Sequence, residues 1–130
     1  MSTKLKLSKQ SSSLLEHLSI KLGLRRNVVC RLAIGKSLSV RTSLALFELR
    51  DNLGYEFNRY TLTGDMDNVF KALIIQHEGK KISDNQYFSN YLRKHIERGV
   101  SLLNSDYSKV NSPIEFLVGL ATKKRQTKKK

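Results

Sequence analysis

Asp51, Glu56, Asp65 and Asp67 flank an arginine and a tyrosine at Arg59-Tyr60. Carboxylates beside an arginine or lysine can hold a divalent ion and stabilise a transferring phosphoryl group, which is the chemistry of a DNA nickase. Each carboxylate also has a local explanation. Asp65 can cap a helix, Asp67 then falls in the first turn where negative charge is favoured, and Asp51 lies on a helix surface. No catalytic residue is assigned on this pattern. His17, His77 and His95 are spread over three predicted helices, with no H-x-x-x-H or C-x-x-C spacing, so no metal ligand is assigned. Gly-rich phosphate loops, G-x-S-x-G elbows and local Cys–His pairs are absent, and no cofactor is expected. The single cysteine, Cys30, lies inside a helical pattern and reads as a small buried apolar side chain.

The chemistry that the composition does favour is polyanion binding. Lys and Arg number 24 against 11 Asp and Glu, a net charge of +13 in 130 residues. Residues 1–50 hold 10 basic and 2 acidic side chains, residues 51–122 hold 8 and 9, and residues 123–130 hold 6 and none. The positive field therefore belongs to the N-terminal portion and the tail, and nucleic acid is the polyanion it suits best. Anionic lipid is the rival. No apolar run approaches the ~18–20 residues of a spanning helix, and Met1–Lys6 lacks the apolar stretch of a secretory signal. A cytoplasmic protein without a membrane partner is expected. The residues expected to contact DNA phosphates are Lys4, Lys6, Lys9, Arg25, Arg26, Arg31, Lys36 and Arg59, with Lys123, Lys124, Arg125 and Lys128 of the tail.

The elements that must position these residues are mostly helical. Lys4–Ser8 alternates with period two, as a short strand or arm with Leu5 and Leu7 inward. A first helix is predicted with Leu14, Leu15, Leu18 and Leu22 on its inner side, a Ser13–Glu16 capping box (Ser11 or Ser12 being alternative caps) and Gly23 as its stop. A second helix follows over about 26–38, with Val28, Val29, Leu32 and Ala33 as its apolar stripe. This strand–helix–turn–helix order resembles the start of ribbon-helix-helix DNA-binding domains, in which strands pair across a dimer and enter the major groove. Residues 42–53 carry Leu46, Leu49 and Leu53 at helical spacing, and residues 56–64 read as extended. A helix capped by Asp65 should turn Met66, Phe70, Leu73 and Ile74 inward. The longest helix should run from Ser83 to about Leu103 on Phe88, Leu92, Ile96, Val100 and Leu103, leaving Lys94, Glu97 and Arg98 in solvent. Gly99 there either weakens the helix or permits a close helix contact. A polar loop at 104–111 leads to Ser112-Pro113-Ile114-Glu115, a strong helix start. Ile114, Leu117, Val118 and Ala121 should dock the short last helix. The expectation is one mainly α domain over residues 1–122 and a disordered basic tail over 123–130.

Two stretches carry a family resemblance. Asn27-Val28-Val29-Cys30-Arg31-Leu32-Ala33-Ile34-Gly35-Lys36-Ser37-Leu38 has the pattern N-x-x-C-R-x-A-x-x-x-S-L. Glu56-Phe57-Asn58-Arg59-Tyr60-Thr61-Leu62-Thr63-Gly64, followed by Ala72-Leu73, is the more specific, because amphipathicity does not dictate E-F-N-R-Y-T-L. Together they resemble the DNA sulfur-modification family DndE, over roughly residues 14–103. The resemblance implies a small basic helical protein of the bacterial phosphorothioation system, in which sulfur replaces a non-bridging phosphate oxygen. It implies a homotetramer that binds DNA, preferring nicked duplex, beside a cysteine desulfurase, an iron–sulfur protein, a sulfurtransferase and an ATPase. Arg31 and Arg59 lie in the matching motifs, as DNA contacts or as structural cations bonded to carbonyls or a carboxylate.

The leading expectation is therefore a non-catalytic DNA-binding component of that machinery. The alternatives are a metal-dependent nickase, a scaffold for partner proteins, and a sequence-specific repressor of ribbon-helix-helix type.

Overall fold

The computed structural model describes residues 3–128, of which 123–128 are described by backbone alone. The fold is mainly α, as expected. Strand β1 (Lys4–Lys6) pairs antiparallel with β2 (Glu56–Asn58), placing Leu5 opposite Phe57. Both central residues are buried and their neighbours are exposed, the alternation of a one-faced strand. The pairing that a ribbon-helix-helix would take from a second copy is supplied here within the chain.

Helix α1 (Lys9–Leu22) begins before the Ser13–Glu16 box. Its cap is Ser8, whose hydroxyl accepts from the Ser11 amide at 3.1 Å. Gly23, at φ 68°, closes it in the left-handed region that glycine enters without strain. Helix α2 (Arg26–Leu38) follows, burying Val29, Cys30, Ala33 and Ile34. The helix expected over 42–53 is absent. Only Leu44 of that segment is buried, while Leu46 is 93% exposed and Leu53 72%. The backbone there bonds to side chains from elsewhere. Arg98 donates to the carbonyls of Ser37, Val40 and Thr42, Lys94 to that of Ala45, Arg93 to that of Asp51, and Glu78 accepts from the Leu44 amide.

After β2 the extended reading fails at Arg59. Asn58 caps a short helix, α3 (Arg59–Thr63), by accepting from the Tyr60 amide at 2.8 Å. A 3-10 turn (Gly64–Met66) leads into α4 (Asp67–Glu78), so Asp65 lies in the turn rather than at the cap. Phe70 and Ile74 face inward as expected, but Met66 and Leu73 remain exposed. Ser83 caps α5 (Asp84–Gln86) through the Gln86 amide. A π-helical turn (Tyr87–Tyr91) then buries Tyr87, Phe88 and Tyr91 and continues into α6 (Leu92–Tyr107), four residues past the predicted end.

Helix α6 is the axis of the fold, and its solvent-facing side was misjudged from sequence. Lys94 and Glu97 are only 7% and 6% exposed. Glu97 is enclosed because it accepts from the Ser8 amide (2.8 Å), the Ser8 hydroxyl (2.7 Å), the Ser11 hydroxyl and Arg93. A buried carboxylate so satisfied escapes most of the desolvation cost. Gly99 makes the close contact. A Cβ there would lie 1.8 Å from the Ala33 carbonyl oxygen of α2.

The last helix, α7 (Pro113–Lys128), has the predicted start. Ser112 accepts from the Glu115 amide and Glu115 accepts from the Asn111 amide. Its docking face differs from expectation. Phe116 is buried edge-on against Tyr107 at 5.4 Å, and Ile114, Leu117 and Val118 are exposed. The larger aromatic ring buries more apolar surface and sets the rotation. The backbone is helical through Lys128, beyond the short helix predicted.

Two outcomes test this packing. Gly99→Ala, which raises helix propensity, should instead cost about 2–3 kcal/mol in urea unfolding, because the added methyl meets backbone rather than a flexible side chain. Cys30 is fully enclosed, and burial pushes its thiol up to about 12. Its labelling by a thiol reagent at pH 8 should therefore track global unfolding. Labelling at the rate of a free thiol in the folded protein would contradict the buried placement.

Candidate nucleic-acid interface

Several of the expected phosphate contacts are engaged inside the fold. Arg59, the first residue of α3, bridges Asp67 of α4 (2.8 Å) and Asp84 of α5 (2.7 Å), and its guanidinium lies 4.8 Å from the Phe88 ring centroid. The carboxylates of Asp84 and Asp67, accepting its hydrogen bonds, hold Arg59 firmly protonated. Arg59 and Lys71 keep the Asp84 carboxyl well below the usual range. Burial alone would raise Asp67, but bonds from Arg59, Thr63 and Tyr87 outweigh it and lower it. Arg31 donates to the carbonyls of Leu62 (2.8 Å) and Thr61 (3.3 Å), fastening the end of α3 to α2. Lys36 pairs with Asp106 at 2.7 Å. Arg26 pairs with Glu16 at 2.9 Å and lies 4.0 Å above the Tyr55 ring. Lys4 makes an exposed pair with Glu56 at 3.5 Å.

The carboxylates around Arg59 do not converge as the nuclease pattern requires. Asp51 accepts from the amides of Lys9 and Leu53, Glu56 pairs across the sheet with Lys4, and Asp65 sits on the 3-10 turn. Asp67 is joined instead by Asp84, which lies 25 residues from Arg59 and which sequence spacing did not suggest.

The charge left for an external anion lies elsewhere. Among the described residues, the exposed side chains of Lys6, Lys9, Lys21, Arg25, Arg41, Arg50, Lys81 and Lys109 make no ion pair or hydrogen bond. Lys6, Lys9 and Arg25 were expected. The other five were missed, since nothing in sequence separates a lysine with an internal carboxylate from one without. Lys21 and Arg25 stand on either side of the α1–α2 turn. Arg25 is the α2 N-cap without a side-chain cap bond, and the first turn of α2 has no acidic residue. Uncapped amides and the positive end of the helix dipole both favour a phosphate there. Lys123, Lys124, Arg125 and Lys128 lie outside the residues whose side chains are described.

A second cluster appears where none was expected. His77 and Glu78, the last two residues of α4, meet His95 of α6, and one donor atom from each lies within 4.8 Å of the others. Burial, with Arg98 and His77 nearby, pushes His95 down to about 3. Burial would raise Glu78, but bonds from Ser43 and the Leu44 amide, with His77 close by, hold it below its usual range.

Among the described residues no helix is long and apolar enough to cross a membrane. None of the curated proteins matches the chain. Among solved structures, DndE from Escherichia coli B7A, described as involved in DNA phosphorothioation modification, shares the fold at a TM-score of 0.65. The match is 17% identical and covers 79% of this chain and 97% of that one. The family described as DNA sulphur modification protein DndE matches residues 4–111, which include β1, the Arg31 and Arg59 fastenings and all of α6. On that match, the chain belongs to the DndE family.

Proposed function

We propose that this chain is the DNA-holding component of the phosphorothioation machinery. It grips the phosphate backbone of duplex DNA, with preference for nicked duplex, and leaves the sulfur chemistry to partners that include a sulfurtransferase and an ATPase. It acts in the cytoplasm as a homo-oligomer, a tetramer by family resemblance, and it does not catalyse. The observation that carries this reading is the division of its cations. Arg31, Arg59 and Lys36 are bonded within the fold, whereas Lys6, Lys9, Lys21 and Arg25 project unpaired from the N-terminal portion that holds most of the positive charge outside the tail. Dispersal of Asp51, Glu56, Asp65 and Asp67 into separate contacts favours holding over cutting.

Competition binding with nicked, intact and single-stranded DNA of one sequence, at several salt concentrations, tests the proposal. With ~6 phosphates neutralised, log K should fall against log salt with a slope near −5, and a flat profile would overturn the reading. Lys21→Ala with Arg25→Ala should reduce that slope by about 2, without loss of stability.

Arg59→Gln should behave in the opposite way. Its loss leaves Asp67 without a cation and Asp84 with Lys71 alone, and should destabilise the fold by about 1–2 kcal/mol, between the ranges for exposed and buried pairs, while the salt slope holds. Both carboxyls are lowered in the folded state, so their contribution is full above the ordinary carboxylate range and is lost as the pH falls below that range through the lowered folded values. Wild type should lose stability there, and Arg59→Gln, lacking that contribution already at neutral pH, should show a flatter profile by acid titration of unfolding.

A further inference from the structure

His77, Glu78 and His95 present an unresolved polar arrangement. The His77 Nε2 lies 2.6 Å from the Val40 carbonyl oxygen, which only accepts, so Nε2 carries a proton. The neutral ring then has its lone pair on Nδ1, and Nδ1 lies 3.2 Å from the Glu78 Oε2. Two lone-pair atoms at that distance repel unless a cation, either a proton or a metal ion, lies between them. The third group is His95, whose side chain is wholly buried. Its Nδ1 lies 2.8 Å from the Ser37 hydroxyl, and its Nε2 is a buried polar atom without a hydrogen-bond partner among the described residues. The donor atoms of the three residues lie within 4.8 Å of one another.

We propose that His77 Nδ1, Glu78 Oε2 and His95 Nε2 form a buried site for a divalent transition-metal ion of the zinc class. Two imidazoles and one carboxylate suit that ion in chemistry and number. The atoms facing away from the centre are already held as metal ligands usually are. His77 bonds a backbone carbonyl, His95 bonds a hydroxyl, and the outer Glu78 Oε1 takes the Ser43 hydroxyl, while the ligating Oε2 also accepts from the Leu44 amide. The site also sits at the C-terminal end of α4, where the helix dipole favours a cation. Tetrahedral ligands at ~2.0–2.1 Å stand roughly 3.4 Å apart, a spacing His77 and Glu78 already hold at 3.2 Å, so binding draws His95 inward. The bound ion joins α4 to α6 and, through the bonds of His77 to Val40 and of Glu78 to Ser43 and Leu44, steadies the 40–44 stretch. This site is independent of the DNA-binding reading.

The full chain, stripped of metal by chelator, is titrated with Co²⁺ while its histidine imidazole signals are followed by NMR. Binding at one equivalent should broaden or shift His77 and His95 first and spare the exposed His17, and Zn²⁺ should compete the Co²⁺ away. His77→Gln should weaken binding by at least about tenfold, with circular dichroism confirming its fold. If that variant unfolds, the wild-type titration alone decides. The proposal is overturned if His77 and His95 stay sharp at one equivalent. It is equally overturned if His17 responds first, or if His77 carries protons on both nitrogens in an imidazolium–carboxylate pair that takes up no metal.

Discussion

The fold depends on a helix that is polar in sequence and enclosed in space. Around α6, Glu97 takes the amide and hydroxyl of Ser8 at the start of α1, while Arg93, Lys94 and Arg98 reach the carbonyls of the segment after α2. Its apolar side, with Leu92, Ile96, Val100 and Leu103, fills the core, and Gly99 lets α2 approach to backbone contact. An irregular connection of some length buries backbone groups that need partners. In this protein the partners are mostly charged side chains of one central helix, joined by His77 and Glu78 of α4. That is why the segment needs no helix of its own, and why its leucines can face outward.

This arrangement explains what was and was not legible in the sequence. Local signals survived well. The Leu5–Leu7 alternation, the Gly23 stop, the Ser83 cap and the Ser112–Glu115 box all lie where their spacing put them, because each is decided within four residues. Periodicity succeeded for the buried face of α6 and, in α2, for Val29 and Ala33, whereas Val28 and Leu32 are half-buried and Ile34 is buried instead. It failed at residues 42–53, where helical spacing existed without a surface to pack on, and at Glu97, whose charge disguised its burial. It failed again at α7, where Ile114, Leu117 and Val118 fitted a stripe but the single Phe116 decided the docking. The candidate site was legible only as a total charge. Which cations stay available depends on carboxylates such as Asp84 and Asp106, far away in sequence. The His77–His95 pairing, across two helices, left no spacing to read.

The E-F-N-R-Y-T-L motif is explained by its structural work. Phe57 fills the sheet's inner face, Asn58 caps α3, and Arg59 locks α3 to α4 and α5. Arg31 of the first motif fastens the same α3 from α2. The two stretches that identify the DndE family thus meet at one joint. That joint fastens α3 to α2, the helix whose N-cap is Arg25.

The bond from Ser8 to Glu97 spans 89 residues. While the chain is being made, α1 is complete long before its anchor leaves the ribosome, and β1 waits about fifty residues for β2. Such distant closures slow folding and leave apolar surface uncovered in the interval. The nascent chain therefore exposes the leucines of α1 beside its basic start until most of the protein has emerged. β1 and the start of α1 are thus made well before the residues that secure them.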